Sequence, residues 1–172
     1  FTFGTTLSIG TSYNYQDTNV GLSYDANAQR CVLARLDGST IYPIACVLQV
    51  GSSTITKGAD VTLINDVAKI GRGIPSAYDS VNNKITFLWA SDTGTNYYPY
   101  YSIITVNAGA NTLTATTPAV FFTGTQSEHF NIVYDTSTSR FIICATKNAP
   151  SYDNDTYILT FTSNGSSLSL TD

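Results

Sequence analysis

The chain has 172 residues, of which only 12% are charged, with 8 Lys and Arg against 12 Asp and Glu. A net charge of −4 speaks against nucleic acid or an anionic membrane as partner, since both require clustered cations. Apolar residues make up 42%, enough for one packed domain, and no segment approaches the roughly 18 apolar residues of a membrane-inserted helix.

The polar remainder is Ser, Thr, Asn, Gly and Tyr, with no Met. That mixture favours strands and tight turns over helices. The low charge and the abundance of Thr, Ser, Asn and Tyr point to an extracellular, cell-surface or virion location. No signal peptide is visible. The chain begins with Phe1 rather than Met, so it reads as mature, processed or cut from something longer.

In chain order, "FTFGTT" (residues 1–6) comes first and resembles a strand whose partners are missing. Three repeats follow, over about 18–58, 72–116 and 129–171. Each opens on the same phrase: "LSYDANAQRCVLA" from Leu22, "SAYDSVNNKITFLW" from Ser76 and "IVYDTSTSRFIICA" from Ile132. The Tyr-Asp pairs are Tyr24–Asp25, Tyr78–Asp79 and Tyr134–Asp135, and each Asp precedes a cation by five residues (Arg30, Lys84 and Arg140). Other landmarks keep the same phase. "IYPIACVLQV" (41–50) matches "YYPYYSIITV" (97–106), with "TYILTF" (156–161) in that place in the third copy. "GSSTIT" (51–56), "GANTLT" (109–114) and "GSSLSL" (165–170) align as well. Coincidence of this many landmarks identifies a true internal repeat.

Each copy reads as four short strands separated by Gly, Asn, Asp and Ser, as antiparallel hairpins require. The first strand ends at Tyr-Asp, and the second starts at the cation. "ADVTLINDVAKI" (59–70) has some helical periodicity, but its counterpart "TPAVFFTG" contains Pro118, so both read as strand or loop. The expectation is one all-β domain spanning 1–172: three tandem four-stranded antiparallel units preceded by a surplus N-terminal strand at 1–6. In this reading Tyr-Asp-x4-Lys/Arg brackets a hairpin. The Asp accepts turn amides as an Asx-turn, the cation across the hairpin can pair with it, and the Tyr ring packs against a neighbouring sheet. A catalytic site would seldom be needed three times in one chain.

The pattern "AYDSVNNKITFLWASDTG…YYSIITVNAGANTLTATTPAVFF" (77–122) resembles tandem repeats of phage tail fibres and bacterial surface proteins. That resemblance implies blades of a β-propeller and a role in attachment or assembly, and it brings no catalytic residues. Propellers close with about four to eight blades, whereas three complete units are present here. Closure would need another chain or further repeats. Threefold repetition also suits a β-trefoil or a β-prism with pseudo-threefold symmetry, though no Gln-x-Trp signature occurs.

Candidate sites are few. "NYYPYY" (96–101) offers Tyr97, Tyr98, Tyr100 and Tyr101 as a platform for sugar rings, or as ordinary packing on both faces of a strand. Asn154 and Asn164 begin Asn-x-Ser/Thr sequons. "DND" (153–155) carries hard oxygen ligands without a calcium loop. Cys31 and Cys46 flank "LDGST" (36–40), where a hairpin would place them almost opposite each other and permit a disulfide; Cys144 is left over. His129 is the only histidine, so a zinc site is disfavoured. No G-x-S-x-G elbow is present. "SDTGTNY" (91–97) is a weak relative of the sialidase Asp-box without an Arg cluster to grip a carboxylate. The sequence thus reads as a non-enzymatic structural subunit of an extracellular fibre, filament or tail-fibre-like assembly. It needs no cofactor and associates with copies of itself or neighbouring repeats through edge strands. The alternative is a lectin-like module that binds glycans through Tyr-lined sites.

Overall fold

The computed structural model describes residues 6–9, 20–65, 73–92, 97–122, 127–147 and 156–171. Those residues form strands and turns without a helix. Unit 1 comprises β1 (Val20–Asp25), β2 (Arg30–Leu36), β3 (Pro43–Val50), β4 (Ile55–Lys57) and β5 (Val61–Thr62). Unit 2 comprises β6 (Ser76–Asp79), β7 (Lys84–Asp92), β8 (Tyr97–Asn107), β9 (Thr112–Ala115) and β10 (Ala119–Val120). Unit 3 comprises β11 (Ser127–Asp135), β12 (Arg140–Lys147), β13 (Thr156–Ser163) and β14 (Leu168–Leu170). Each unit is one antiparallel sheet with four strands in sequential order. In units 1 and 2 a two-residue strand, β5 or β10, also pairs with the third strand. The all-β reading with three four-stranded units therefore holds. Residues 1–5 of the expected surplus strand lie outside the described residues, and Thr6 is in no strand.

Successive residues of a strand point to opposite faces, and here the two faces have distinct partners. Val32, Ala34 and Leu36 of β2, with Ala45 and Val47 of β3, pack against Ile85, Phe87 and Trp89 of β7. The opposite face of unit 2 contributes Ala77, Leu88, Tyr101 and Ile103, which pack against Phe141, Ile143, Leu159 and Phe161 of unit 3. Each unit thus presents one face forward along the chain and one backward. The middle sheet is covered on both sides, so "ITFLWAS" (85–91) is buried throughout. A continuous apolar run is what such a strand needs, whereas a half-exposed strand alternates. The first strands lie together, β1 against β6 and β6 against β11.

Backbones approach closely where units 1 and 2 meet. A side chain at Gly21 would collide with the Ile74 carbonyl oxygen, and one at Gly58 with that of Asn111. Glycine at these two positions lets the sheets close without a gap.

One cysteine expectation is corrected by the register. Cys31 pairs with Leu48 and Leu33 with Cys46, so Cys31 and Cys46 stand two register positions apart, with the Val32–Val47 pair between them, and both are free thiols. The cause is the turn after β2. Asp37 and Tyr42 close it through Asp37 N–H to Tyr42 O at 2.9 Å, leaving four residues, Gly38 to Ile41, in the loop. That centre lies one residue further along than a turn built on "LDGST" would, and every cross-strand pair shifts accordingly.

Candidate functional site

The three Tyr-Asp phrases occupy equivalent places. Asp25 pairs with Arg30, Asp79 with Lys84 and Asp135 with Arg140 at the ends of their hairpins. In each four-residue loop the Asp side chain accepts the amide two residues on: Asn27 at 3.0 Å, Val81 at 3.0 Å and Ser137 at 2.9 Å. Asp25 also accepts Ala28 N–H at 2.9 Å, and Asp79 that of Asn82 at 3.1 Å. The last loop residue is left-handed each time: Gln29 at φ 53°, Asn83 at 56° and Ser139 at 56°. The remaining non-glycine residues with positive φ among those described are Ile41 and Asn111. Each stands four after an Asp or Asn that accepts a turn amide, Asp37 from Ser39 two residues on and Asn107 from Ala110 three residues on. The Asp-x4 spacing is therefore a loop grammar that recurs beyond the Tyr-Asp phrase.

The tyrosine adds a function of its own, which is to join units. Tyr78 points backward and packs in the core between units 1 and 2. Its hydroxyl accepts the Asn27 amide of unit 1 at 3.2 Å and donates to Asn83 Oδ1 of its own loop at 2.8 Å. Burial, and then the nearby Asp25 carboxylate, push its pKa up. Tyr134 repeats the arrangement one unit later. It packs in the core between units 2 and 3, with its ring edge-on to Phe141 at 5.0 Å. Burial raises its pKa, and its hydroxyl interacts with the Asp79 carboxylate, with Ser139 of its own loop and with the Val81 amide. A tyrosine of one unit thus seals the Asp turn of the unit before it. Asp25 and Asp79 are consequently buried, at 2% and 1% exposure. Asp135, against which no tyrosine is set in this way among the described residues, is only partly covered.

The cations sit where the register predicts but do not pair with the carboxylates, and this corrects the expected ion pair. Arg30 donates to the Ala108 carbonyl of unit 2 at 3.3 Å and Lys84 to Thr105 Oγ1 at 2.8 Å. The ion pairs among the described residues are Arg35–Asp60 at 3.2 Å and Lys57–Asp60 at 2.9 Å. The turn carboxylates already accept backbone amides, so the turns are held without the cations.

The electrostatics fit structural anions. Burial alone would raise the Asp79 pKa, but hydrogen bonds from Asn82, Tyr134 and Val81 outweigh it and lower it. Asp135 is brought down to about 2 by Thr138 and Ser137. A general acid at neutral pH needs the opposite shift.

The tyrosine cluster divides. Tyr100 stacks on Trp89 at 6.2 Å on the face toward unit 1. Tyr101 is buried toward unit 3, where its hydroxyl accepts the Leu168 amide at 3.1 Å. Tyr98 is half-buried. The side chain of Tyr97 lies outside the described residues. Asn164 is exposed, and its Oδ1 accepts the amides of Ser166 and Ser167. Asn154 and the "DND" stretch lie outside the described residues. Elsewhere among the described residues no three His, Cys, Asp or Glu side chains come together as metal ligands. His129 is exposed at the start of β11.

The joint made by Tyr78 and Asn27 was not visible in the sequence, because a spacing of 51 residues gives no clue to a contact. Only the expectation that the repeated Tyr packs its ring against a neighbouring sheet pointed toward it. No family model matches the chain, and no curated protein matches its sequence. The geometry of the joints therefore carries the functional reading.

Proposed function

We propose that this chain is a non-enzymatic structural segment of an extracellular fibre, filament or tail-fibre-like assembly, built of blade-like units and associating with copies of itself. The observation that carries this reading is the fate of the repeated motif. Asp25 and Asp79 each hold a turn, and Tyr78 and Tyr134 each lock that turn to the next sheet. Side chains used in this way are joints between modules. Stacked modules that bury a shared core are the logic of repeat scaffolds. The clustering of first strands β1, β6 and β11 supports blades set around an axis. The low charge and the Ser-, Thr- and Asn-rich composition support an extracellular setting, and the short outermost strands β4, β9 and β14 leave sheet edges for strand addition.

The carbohydrate-binding reading is weaker, because Tyr100 and Tyr101 face opposite cores and Tyr101 is buried. Two measurements separate the readings. Negative-stain imaging of the chain should show ordered oligomers or filaments, and a glycan array should show no binding. Glycan binding that disappears when Tyr97, Tyr98, Tyr100 and Tyr101 are changed to Ala would replace the structural role with adhesion.

A further inference from the structure

One face of unit 3 is open where its equivalents are closed. Ile158 pairs with Cys144, Tyr101 with Leu88 and Ala45 with Ala34, so Ile158, Tyr101 and Ala45 hold the same place in three sheets. Their exposures are 71%, 5% and 1%. Val133 behaves likewise. It is 54% exposed, whereas Ala77, two residues before Asp79 as Val133 is before Asp135, is 7% exposed. Val133, Ile142, Cys144 and Ile158 line a shallow apolar depression on that face. At the end of β11 stands the Asp135 turn, the one Tyr-Asp turn that no tyrosine seals among the described residues.

The complementary half lies at the other end of the chain. The backward face of unit 1 has Leu33, Arg35, Ile44 and Cys46 already buried, but β1 offers an open strip. Val20, Leu22 and Tyr24 are all exposed there, and they pair with Arg35, Leu33 and Cys31 on the backward side of β2. Tyr24 is the counterpart of Tyr78 and Tyr134, and among the described residues no preceding Asp turn lies against it. Within the chain this junction is made twice, by first strand against first strand and by tyrosine against the preceding turn.

We propose that the forward face of unit 3 binds the β1 strip of a second copy of this chain, with Tyr24 of one copy sealing the Asp135 turn of the other. The inference rests on the structural role proposed above and names a different surface from the strand edges. The contact is heterologous, face to back, so it closes into a ring if the rotation per copy permits and otherwise grows a filament. The apolar strip and depression supply the attraction, and the tyrosine sets the register.

Sedimentation velocity over a concentration series tests the proposal. The unmodified chain should associate progressively. Ile158→Asp and Leu22→Asp each alter an exposed side chain, so both should fold, which circular dichroism and thermal unfolding check. Each should weaken association at least about tenfold. A mixture of the two should recover heterodimers and nothing larger, because each variant keeps one intact half. The proposal is overturned if the unmodified chain stays monomeric, if both variants associate as it does, or if the mixture recovers nothing. Association that survives both substitutions but vanishes on removal of residues 1–6 would also overturn it. That result would leave the structural role standing through strand addition.

Discussion

The backbone amide of Asn27 donates to the hydroxyl of Tyr78 across 3.2 Å, although the two residues stand 51 apart in the chain. The same amide donates to Asp25 Oδ1 at 3.0 Å. One N–H thus ties a turn to its own unit and to the next, so loss of either partner should be felt at the junction between sheets.

Position along the array should set the value of each tyrosine hydroxyl. Tyr78→Phe and Tyr134→Phe each remove a hydroxyl placed at a turn and should lower unfolding free energy by about 0.5–1.5 kcal/mol. Tyr24→Phe has no turn to lose among the described residues and should stay within about 0.5 kcal/mol of the parent. Urea unfolding of dilute protein measures all three. A Tyr24→Phe effect as large as the others would contradict the assignment.

Acid should weaken the fold through the turn carboxylates. Asp79 and Asp135 have pKa values lowered on folding, Asp135 to about 2. A carboxyl whose folded value is depressed contributes stability above its unfolded value, and that contribution disappears as pH falls through the folded value. The contribution of these groups should be constant from neutrality to about pH 4 and decline between about pH 4 and pH 2. Asp79→Asn should make that decline shallower in pH-dependent thermal unfolding. Stability rising across the same window would refute the assignment.

Close backbone approach makes Gly21 and Gly58 sensitive positions. An added Cβ would strike a carbonyl oxygen of unit 2 in either case, and a backbone atom cannot swing aside as a side chain can. Gly21→Ala and Gly58→Ala should each cost about 1–3 kcal/mol. At Gly109 the nearest atom would be Asn107 Oδ1 at 3.7 Å, so Gly109→Ala should change stability by less than about 0.5 kcal/mol. Chemical denaturation of the three variants decides this, and equal costs would mean the sheets do not meet as described.

Burial pushes the Cys46 thiol up to about 11, so little thiolate exists at neutral pH. Cys46 should resist a soluble thiol reagent in the native state and react after unfolding, read by peptide mass mapping. A Cys31–Cys46 disulfide peptide in a non-reducing map would contradict the observed register.

Much of the architecture was legible in the sequence because turns and periodicity are local. Asp25, Asp79 and Asp135 announce their hairpins by residue type and spacing, and the structure gives all three the same loop. The register after β2 was less legible, since Ile41 sits at φ 63° and a β-branched residue is seldom placed there. The cations were read correctly for position and wrongly for partner. Register is set by the backbone, whereas the long side chains of Arg30 and Lys84 go to whichever acceptors lie near, Ala108 O and Thr105 Oγ1. The division of "NYYPYY" also follows from local alternation, but which face meets a core depends on neighbouring sheets. The Tyr-to-turn joint depends on the same packing and so escaped detection.

A double-mutant cycle between Asp25 and Tyr78, using Asp25→Ala and Tyr78→Phe, measures whether the motif couples one sheet to the next. If the two side chains share the Asn27 amide as observed, the double variant should depart from additivity by about 0.5 kcal/mol or more. Strict additivity, with each substitution acting as though the other residue were absent, would show that Tyr-Asp is two independent features and that the units are not joined through it.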